Sequence, residues 1–264
     1  MNIQVLVATM NQCDEKIIQR MNINSDAIII NQCDRFEYKK INYNGNNIDF
    51  FSFAERGVGL SRNTALMRAT SDICLFADED MTFVDNYKEL VINAFKENPD
   101  ADMIMFNVPS KNPNRSTFEI LKKGRVRWYN SLRFGAVNIA VKTKVLRKKN
   151  IYFSLLFGGG ADYSAGEDSM FIADSLKKGL KIYANPTVIG YVAQEDSYWF
   201  KGYIDKYFID KGAFYGLLSS RWSRLLSLQF VLRHRNMFKQ DKTMLEAYRL
   251  MLQGIKEVKT DVSI

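Results

Sequence analysis

The fold of this chain is constrained most strongly by a series of short, almost uninterrupted apolar runs. They cover residues 3–8, 27–30, 48–53, 73–77 and 103–108. Runs of this length without polar alternation are typical of strands that are buried on both faces of a sheet. Helical patterns separate several of them. We therefore predict an α/β fold of Rossmann-like type, with a mainly parallel sheet flanked by helices.

Three helices are expected between and after these strands. The first covers residues 60–69, and the second runs from an N-cap at Asp85 to Asn98-Pro99. The third covers residues 169–178 and ends at Gly179. Beyond about residue 200 the pattern becomes helical and basic, which predicts a C-terminal helical extension.

Composition limits the partners that such a chain can have. Its formal net charge of +8 indicates an anionic partner such as a diphosphate or an anionic lipid. No nucleic-acid-binding motif is present, so nucleic acid is not an expected partner. Three widely spaced cysteines indicate reduced thiols, and neither a signal peptide nor a membrane-spanning run is found. We expect a cytoplasmic protein, with peripheral contact to the inner face of the cell membrane as an open alternative.

Polar residues follow the apolar runs at the points where the strands should end. They are Thr9 and Asn11 after the first run, Asp34 after the second and Asp78-Glu79-Asp80 after the fourth. Ligands bind outside the carboxyl ends of the strands in open α/β sheets. These residues are therefore expected to converge on one binding site.

The acidic triplet has the spacing of a cation site. Carboxylates at Asp78 and Asp80 point the same way in an extended segment, so both could reach one divalent cation. Such a cation, Mn²⁺ or Mg²⁺, would keep open positions for diphosphate oxygens and stabilise charge on a departing phosphate.

A second acidic pair and an arginine complete the candidate site. Glu167-Asp168 follows the glycine loop 158–160, and Asp168 is either a helix cap or a general base. Arg62 lies in the first predicted helix, where it is either a surface residue or a phosphate contact.

These segments, in this order and spacing, resemble family 2 glycosyltransferases of the GT-A fold. Residues 55–66 are similar to the family's "N-x-G-x-x-x-A-R-N-x-G" helix, and residues 69–80 to its "lflDxD" segment. Glu167-Asp168 looks like the family's "ED" motif, and residues 5–11 look like its opening strand. The resemblance covers about residues 1–200.

The resemblance implies an inverting, metal-dependent hexosyltransferase of cell-surface polysaccharide synthesis. Asp168 would be the catalytic base, and Asp78 with Asp80 would hold the metal. The substrate-binding residues would be Thr9, Asn11, Asp34, Arg62, Asp78, Glu167 and Trp199. The donor would be a nucleotide-sugar, expected to be a UDP-sugar, and the acceptor a glycan or polyprenyl-linked hydroxyl. Residues 1–200 would form the catalytic domain, with a donor half (1–108) and an acceptor half (109–200), and residues 201–264 the extension.

Two departures from the family pattern stand out. Residues 31–34 replace an acidic segment that binds the base, so Asp34 is only an approximate equivalent. No histidine follows the late strand, where Ala193, Gln194 and Glu195 stand, so the third metal ligand is not identified.

Two other functions compete with this interpretation. The segment 75–82 also fits the strand-then-DxDxT pattern of haloacid-dehalogenase-like phosphatases, with Asp78 as nucleophile and Asp80 as acid/base. A non-catalytic basic module that binds a membrane surface would explain the charge but not the acidic sites. The C-terminal segment 215–264 itself either contacts membrane or acceptor, or packs on the rest of the chain.

Overall fold

The computed structural model describes residues 1–194 and 202–262, with the side chains of residues 260–262 excepted. A nine-stranded sheet and a two-stranded sheet form its centre, and helices cover the large sheet on both faces. The strands are β1 (Ile3–Met10), β2 (Asp26–Gln32), β3 (Glu37–Tyr43), β4 (Asn46–Phe53), β5 (Ile73–Asp78), β6 (Met81–Phe83), β7 (Met103–Asn107), β8 (Gly124–Arg125), β9 (Ile139–Lys142), β10 (Ile182–Val188) and β11 (Gly190–Val192).

The strand order of the large sheet is β3-β4-β2-β1-β5-β9-β7-β10-β8. β1 pairs in parallel with β2 and β5, and β2 pairs in parallel with β4. In this register Thr9 lies beside Asn31, and Ala8 lies beside Asp78. The carboxyl ends of β1, β2 and β5 therefore reach one edge of the sheet together, as the sequence predicted.

The predicted α/β architecture is confirmed, but the sheet is mixed rather than mainly parallel. β9 lies between β5 and β7 and is antiparallel to both. β3 is an antiparallel edge strand, joined to β4 by a two-residue turn. Both turn residues, Asn44 and Gly45, have positive φ angles, of 51° and 79°. That is the geometry of the tight turns that suit the twist of a hairpin.

The helices are α1 (Lys16–Arg20), α2 (Val58–Arg68), α3 (Tyr87–Glu97), α4 (Thr143–Lys148), α5 (Glu167–Lys177), α6 (Asp205–Leu218), α7 (Ser223–Arg233), α8 (Arg235–Phe238) and α9 (Met244–Val262). On one face of the sheet, buried residues of α1 and α3 pack on the strands. On the other face, buried residues of α2, α4 and α5 do so. The sheet is thus buried on both sides, as its apolar runs require.

One predicted helix cap is wrong, and the cap alternative for Asp168 is not observed. Asn86, not Asp85, is the N-cap of α3, and the Asp85 carboxylate instead accepts a hydrogen bond of 2.8 Å from Asn22 Nδ2. Gly166 is the N-cap of α5, so Asp168 lies inside the first turn and makes no capping bond. The side chain of Asp168 is therefore available for other contacts.

The C-terminal helices form a compact group that packs on α5 and on the loop before it. Phe157, Tyr163 and Ala173 meet Ala213, Phe214 and Leu218 of α6 in one buried cluster. The predicted boundary near residue 200 falls within residues 195–201, outside the described part of the chain. Among the described helices, none combines the length and the apolar character needed to cross a bilayer.

Candidate active site

Arg62 forms the centre of a buried ionic cluster that joins three elements. Its side chain is 3% exposed and extends from α2. One terminal nitrogen donates to Asp78 Oδ1 at 2.8 Å and to Oδ2 at 3.1 Å. The other donates to Asp168 Oδ1 at 2.6 Å and to Glu167 Oε1 at 3.3 Å. A single guanidinium therefore links the end of β5 to the first turn of α5.

Opposing electrostatic effects act on this guanidinium. Burial lowers the pKa of Arg62, but the carboxylates of Asp78, Asp168 and Glu167 more than offset it, so the pKa is raised overall. The Phe153 ring also lies 5.3 Å from the guanidinium carbon. The cluster holds three carboxylates around one cation, and it therefore keeps a net negative charge when all are ionised.

Glycines bring α2 close enough to α5 for this cluster to form. The Val58 amide donates to the Gly159 carbonyl at 3.0 Å. A Cβ added at Gly158 would lie 2.8 Å from the Glu167 Cδ atom, and one at Gly160 would lie 3.1 Å from the Gly57 nitrogen. The predicted glycine loop therefore packs closely on the start of α2 and on Glu167 at the start of α5, and it holds the two helices near each other.

Asp168 is held on both sides but remains accessible. Its Oδ2 atom accepts a hydrogen bond of 2.9 Å from the Ala136 amide, at the start of the 3₁₀ turn Ala136–Asn138. Its side chain is 27% exposed. A carboxylate oxygen has two acceptor positions. Asp168 can therefore accept a further proton or hydrogen bond from solvent or from a bound molecule.

Glu167 is more deeply buried than Asp168 and differs from it chemically. Its side chain is 14% exposed. Burial, followed by the neighbouring Asp168 carboxylate, raises the pKa of Glu167 to about 7, and Arg62 acts in the opposite direction. Glu167 is thus partly protonated near neutral pH.

Glu79, the middle residue of the acidic triplet, supports the end of β1. Its Oε2 atom accepts hydrogen bonds from Thr9 Oγ1, from the Met10 amide at 3.2 Å and from Gln12 Nε2 at 2.9 Å. Thr9 is buried and its hydroxyl is used in this contact. The structure thus places the predicted residue Thr9 at the site, as part of its framework.

A polar network at the ends of β1 and β2 was not predicted in full. Buried Asn31 donates to the Gln12 carbonyl at 3.0 Å and to Ser52 Oγ at 3.1 Å. Predicted Asn11 has a positive φ of 53° and accepts a hydrogen bond of 3.2 Å from Arg56. Arg56 also donates to the Gln32 carbonyl at 2.6 Å. A buried polar residue at a strand end, Asn31, was the sequence signal for this network.

Two predicted residues lie away from the ionic cluster or cannot be located. The side chain of Asp34 is 94% exposed, and its ion-pair partner is Arg35 at 3.9 Å. Trp199 lies in residues 195–201, outside the described residues, as do Glu195 and Asp196.

The Asp80 carboxylate, like that of Glu79, makes no ion pair with Arg62. Its Oδ2 atom accepts a hydrogen bond of 3.2 Å from the Gln194 amide, and its carbonyl accepts one of 3.0 Å from Ala193. Asp80 is exposed as a residue. Partial desolvation of its carboxylate, followed by repulsion from Asp78, nevertheless raises the pKa of Asp80. A bound cation would stabilise the ionised form of this carboxylate. Across residues 1–194 and 202–262, no three potential metal ligands cluster together.

Comparison with known proteins agrees with this fold. The family model described as "Glycosyl transferase family 2" matches residues 24–149. The crystal structure of S. aureus TarS 1-349 in complex with UDP-GlcNAc superposes with a TM-score of 0.69 at 14% identity, over 98% of this chain and 81% of that one. The complex of the same protein with UDP gives a TM-score of 0.66 at 14% identity, over 98% and 83%.

A longer S. aureus TarS structure gives a TM-score of 0.63 at 15% identity, and only 50% of that chain is covered. No curated protein sequence matches the chain. The predicted GT-A architecture is thereby confirmed. The predicted family resemblance is confirmed over the residues that carry the Arg62 helix and the acidic triplet.

Proposed function

We propose that the chain is an inverting glycosyltransferase, because residues 24–149 match the family 2 glycosyltransferase model and the chain has a GT-A fold. It would transfer a sugar from a UDP-sugar to a hydroxyl of a glycan or polyprenyl-linked acceptor. The observation that carries the proposal is the Arg62 cluster, which joins Asp78 to the Glu167-Asp168 pair. Two motifs that are far apart in the sequence thus form one site at the carboxyl edge of the sheet.

Asp168 is proposed as the base of a single displacement. Its carboxylate takes the proton of the acceptor hydroxyl while that oxygen forms a bond to the anomeric carbon. The bond from this carbon to the diphosphate oxygen breaks, and its electron pair leaves with UDP. Arg62 and the Ala136 amide each hold one oxygen of Asp168, which fixes the direction from which the proton is accepted.

The donor is proposed to bind where β1, β2 and β5 end. The S. aureus TarS structures that share this fold are complexes with UDP-GlcNAc and UDP, which supports a UDP-sugar here. Asn11, with its exposed backbone turn beside Arg56, and the more distant Asp34 would contact the nucleotide. The basic Arg56 is suited to an anionic donor.

Asp80 is the residue best suited to hold Mn²⁺ or Mg²⁺. Carboxylate oxygens are the ligands that these hard cations prefer, and one or two carboxylates plus phosphate oxygens suffice for Mg²⁺. Asp78, in contrast, has both oxygens paired with Arg62. A bound cation would neutralise charge on the diphosphate. Asp80 would orient the donor, while Asp78 would keep Arg62 in place.

The same contact weighs against the phosphatase alternative. A nucleophilic aspartate needs an electron-rich oxygen to attack the phosphorus atom. Arg62 donates to both oxygens of Asp78, so their negative charge is shared with a cation and the carboxylate is a weaker nucleophile. The non-catalytic alternative offers no role for three carboxylates gathered around one buried arginine.

Donor class and metal role can be tested together by thermal stabilisation. A panel of nucleotide-sugars is added with and without Mn²⁺, and the melting temperature is followed. We expect UDP-sugars to raise the melting temperature in a Mn²⁺-dependent way. This rise should be lost in Asp80→Ala and kept in the control Asp85→Ala, which changes an exposed residue in the loop between β6 and α3. If no nucleotide raised the melting temperature of the unchanged protein, the proposal would be wrong.

The base can be tested with a matched pair of variants on one helix. Asp168→Asn should lower turnover by about 10²–10⁴-fold, the usual contribution of a general base. Asp174→Asn, three residues from the end of α5 and paired with Lys178, should leave turnover close to that of the unchanged protein. Release of UDP in the presence of acceptor is the measurement. Equal turnover in both variants would remove Asp168 from the proposed role.

A further inference from the structure

The outer side of α7 carries an exposed apolar row with no protein partner in the described structure. Leu225, Leu228 and Leu232 are 56%, 39% and 60% exposed. Their spacing of three and four residues puts them on one side of the helix. The opposite side, with Phe230 and Val231, is buried in the helical extension. The core of the extension is therefore formed by the opposite side of α7, and the exposed row lies outside it.

Cationic side chains border this row on both sides. By helical periodicity Arg224 lies along one border of the row and Arg233 along the other. Trp222 is 53% exposed at the start of the helix, and the Arg221 guanidinium lies 5.4 Å from its ring centroid. An aromatic ring with a cation beside it is typical of side chains at a membrane–water interface.

Carboxylates are missing from the whole surrounding segment. Residues 211–240 contain six Lys or Arg and no Asp or Glu. None of Arg221, Arg224, Arg233 and Arg235 forms an ion pair within the described residues. The positive charge of these four arginines is therefore not neutralised by a carboxylate within the described residues.

A second copy of the chain is a poor occupant for this face. A two-fold contact brings the same patch of both subunits together, so the arginines of one subunit would lie against the arginines of the other. Like charges brought together at an interface oppose association. A layer of negative charge over an apolar interior, in contrast, matches both the arginines and the leucine row.

We propose that the outer face of α7 rests on an anionic membrane surface. Leu225, Leu228 and Leu232 would enter the boundary between headgroups and acyl chains, and Arg221, Arg224 and Arg233 would contact lipid phosphates. Trp222 would lie at headgroup depth. The inference rests on the surface of the extension and does not depend on the reaction proposed above.

Vesicle co-sedimentation of the full chain tests this directly. We expect binding to vesicles of phosphatidylcholine mixed with phosphatidylglycerol and little binding to phosphatidylcholine alone. Leu225→Ser with Leu232→Ser should weaken binding about tenfold or more, because two leucines lose apolar contact with the bilayer. Arg224→Gln with Arg233→Gln should weaken it by about tenfold at low salt, since each basic residue near an anionic surface contributes to attraction.

Lys148→Gln with Lys149→Gln is the matched control, since it removes two exposed charges at the end of α4. It should bind like the unchanged protein, which separates a local face from net charge. Asp168→Asn should also bind normally, so a failure of the proposed reaction would be visible separately. The proposal is overturned if the unchanged protein does not bind anionic vesicles. Equal weakening by the lysine pair, or a dimer in solution that the leucine variant abolishes, would also overturn it.

Discussion

At the scale of single residues, Arg62 determines how the site is organised. Three carboxylates, from β5 and from α5, converge on its buried guanidinium. A planar guanidinium can bridge several carboxylates in fixed directions, whereas a lysine ammonium is a point charge. The sequence motif predicted an arginine near the diphosphate. It did not reveal that this arginine links Asp168 at the start of α5 to Asp78 at the end of β5.

Removing this guanidinium should therefore affect stability as well as activity. Arg62→Leu leaves three half-buried carboxylates without their cation. Breaking a fully buried pair costs about 3–5 kcal/mol of unfolding free energy, and water contact of these carboxylates should reduce that loss. Urea unfolding of Arg62→Leu and of Arg68→Leu, an exposed position on the same helix, measures the difference.

Adding Asp78→Asn to Arg62→Leu should restore part of the lost stability, since one uncompensated carboxylate is removed. Strict additivity of the two changes would show that Asp78 and Arg62 do not interact in solution.

At the scale of elements, the C-terminal extension is built on a close backbone contact between α6 and α9. A Cβ at Gly212 of α6 would lie 2.0 Å from the Met251 carbonyl oxygen, and one at Gly254 of α9 would lie 1.9 Å from the Ile209 carbonyl oxygen. Only glycine allows the two backbones to come this close. The packing of the extension thus depends on small residues rather than on large apolar ones at this crossing.

Gly254→Ala should consequently destabilise the protein although alanine favours helix. The clash forces α6 and α9 apart, and overpacking of this kind costs about 1–3 kcal/mol. Gly124→Ala, where the added Cβ would meet nothing within 4 Å, should change the unfolding free energy by less than about 0.5 kcal/mol. Chemical denaturation of both variants gives the comparison, and an unchanged Gly254→Ala would contradict the packing described.

Elements were predictable from the sequence when one physical pattern dominated them. The buried strands β1, β2, β5 and β7 were predicted because continuous apolar runs suit a sheet covered on both sides. β3 was missed because its residues alternate between exposed and half-buried. The dipeptide Asn44-Gly45, which is typical of a tight hairpin turn, was the sequence signal that could have identified it. α6 lies within the predicted helical extension, but its bounds were not predicted because its apolar residues do not form a single stripe.

The residues of the candidate site could be predicted where local sequence patterns place them, but their contacts with distant segments could not. Asp78, Asp80 and Asp168 could be identified because their positions follow strands and precede a helix. The neighbours of Asp168 could not be, because Ala136 reaches it through the tertiary fold alone. The exposed position of Asp34 likewise depends on how β2 ends and not on its residue type.

At the scale of the whole molecule, stability should respond to pH mainly through the buried acidic cluster. Glu167 has a folded pKa of about 7 against an ordinary value of 4.5. The folded state therefore holds a proton that the unfolded state has released between these values. Its contribution to stability is complete below 4.5 and is lost as the pH rises towards about 7. The raised pKa of Asp80 acts in the same direction.

We thus expect the free energy of unfolding to fall as the pH rises from 4.5 to about 7. Glu167→Gln, which mimics the protonated carboxyl, should flatten this slope. Denaturant unfolding at a series of pH values measures both proteins. A slope of the opposite sign in the unchanged protein, or an equal slope in Glu167→Gln, would show that Glu167 is not its source.

The contact between Phe214 and Gly166 has a consequence for the evolution and engineering of this chain. A Cβ at Gly166 would lie 2.8 Å from the Phe214 ring, and Gly166 is the residue that begins the helix of Glu167 and Asp168. The C-terminal helices are thus not an interchangeable module. In a chimera that joined this sheet to the extension of a relative, the residue that packs on Gly166 would not fit the turn that carries Glu167 and Asp168. Recombination between such proteins should succeed only where both partners of that contact are exchanged together.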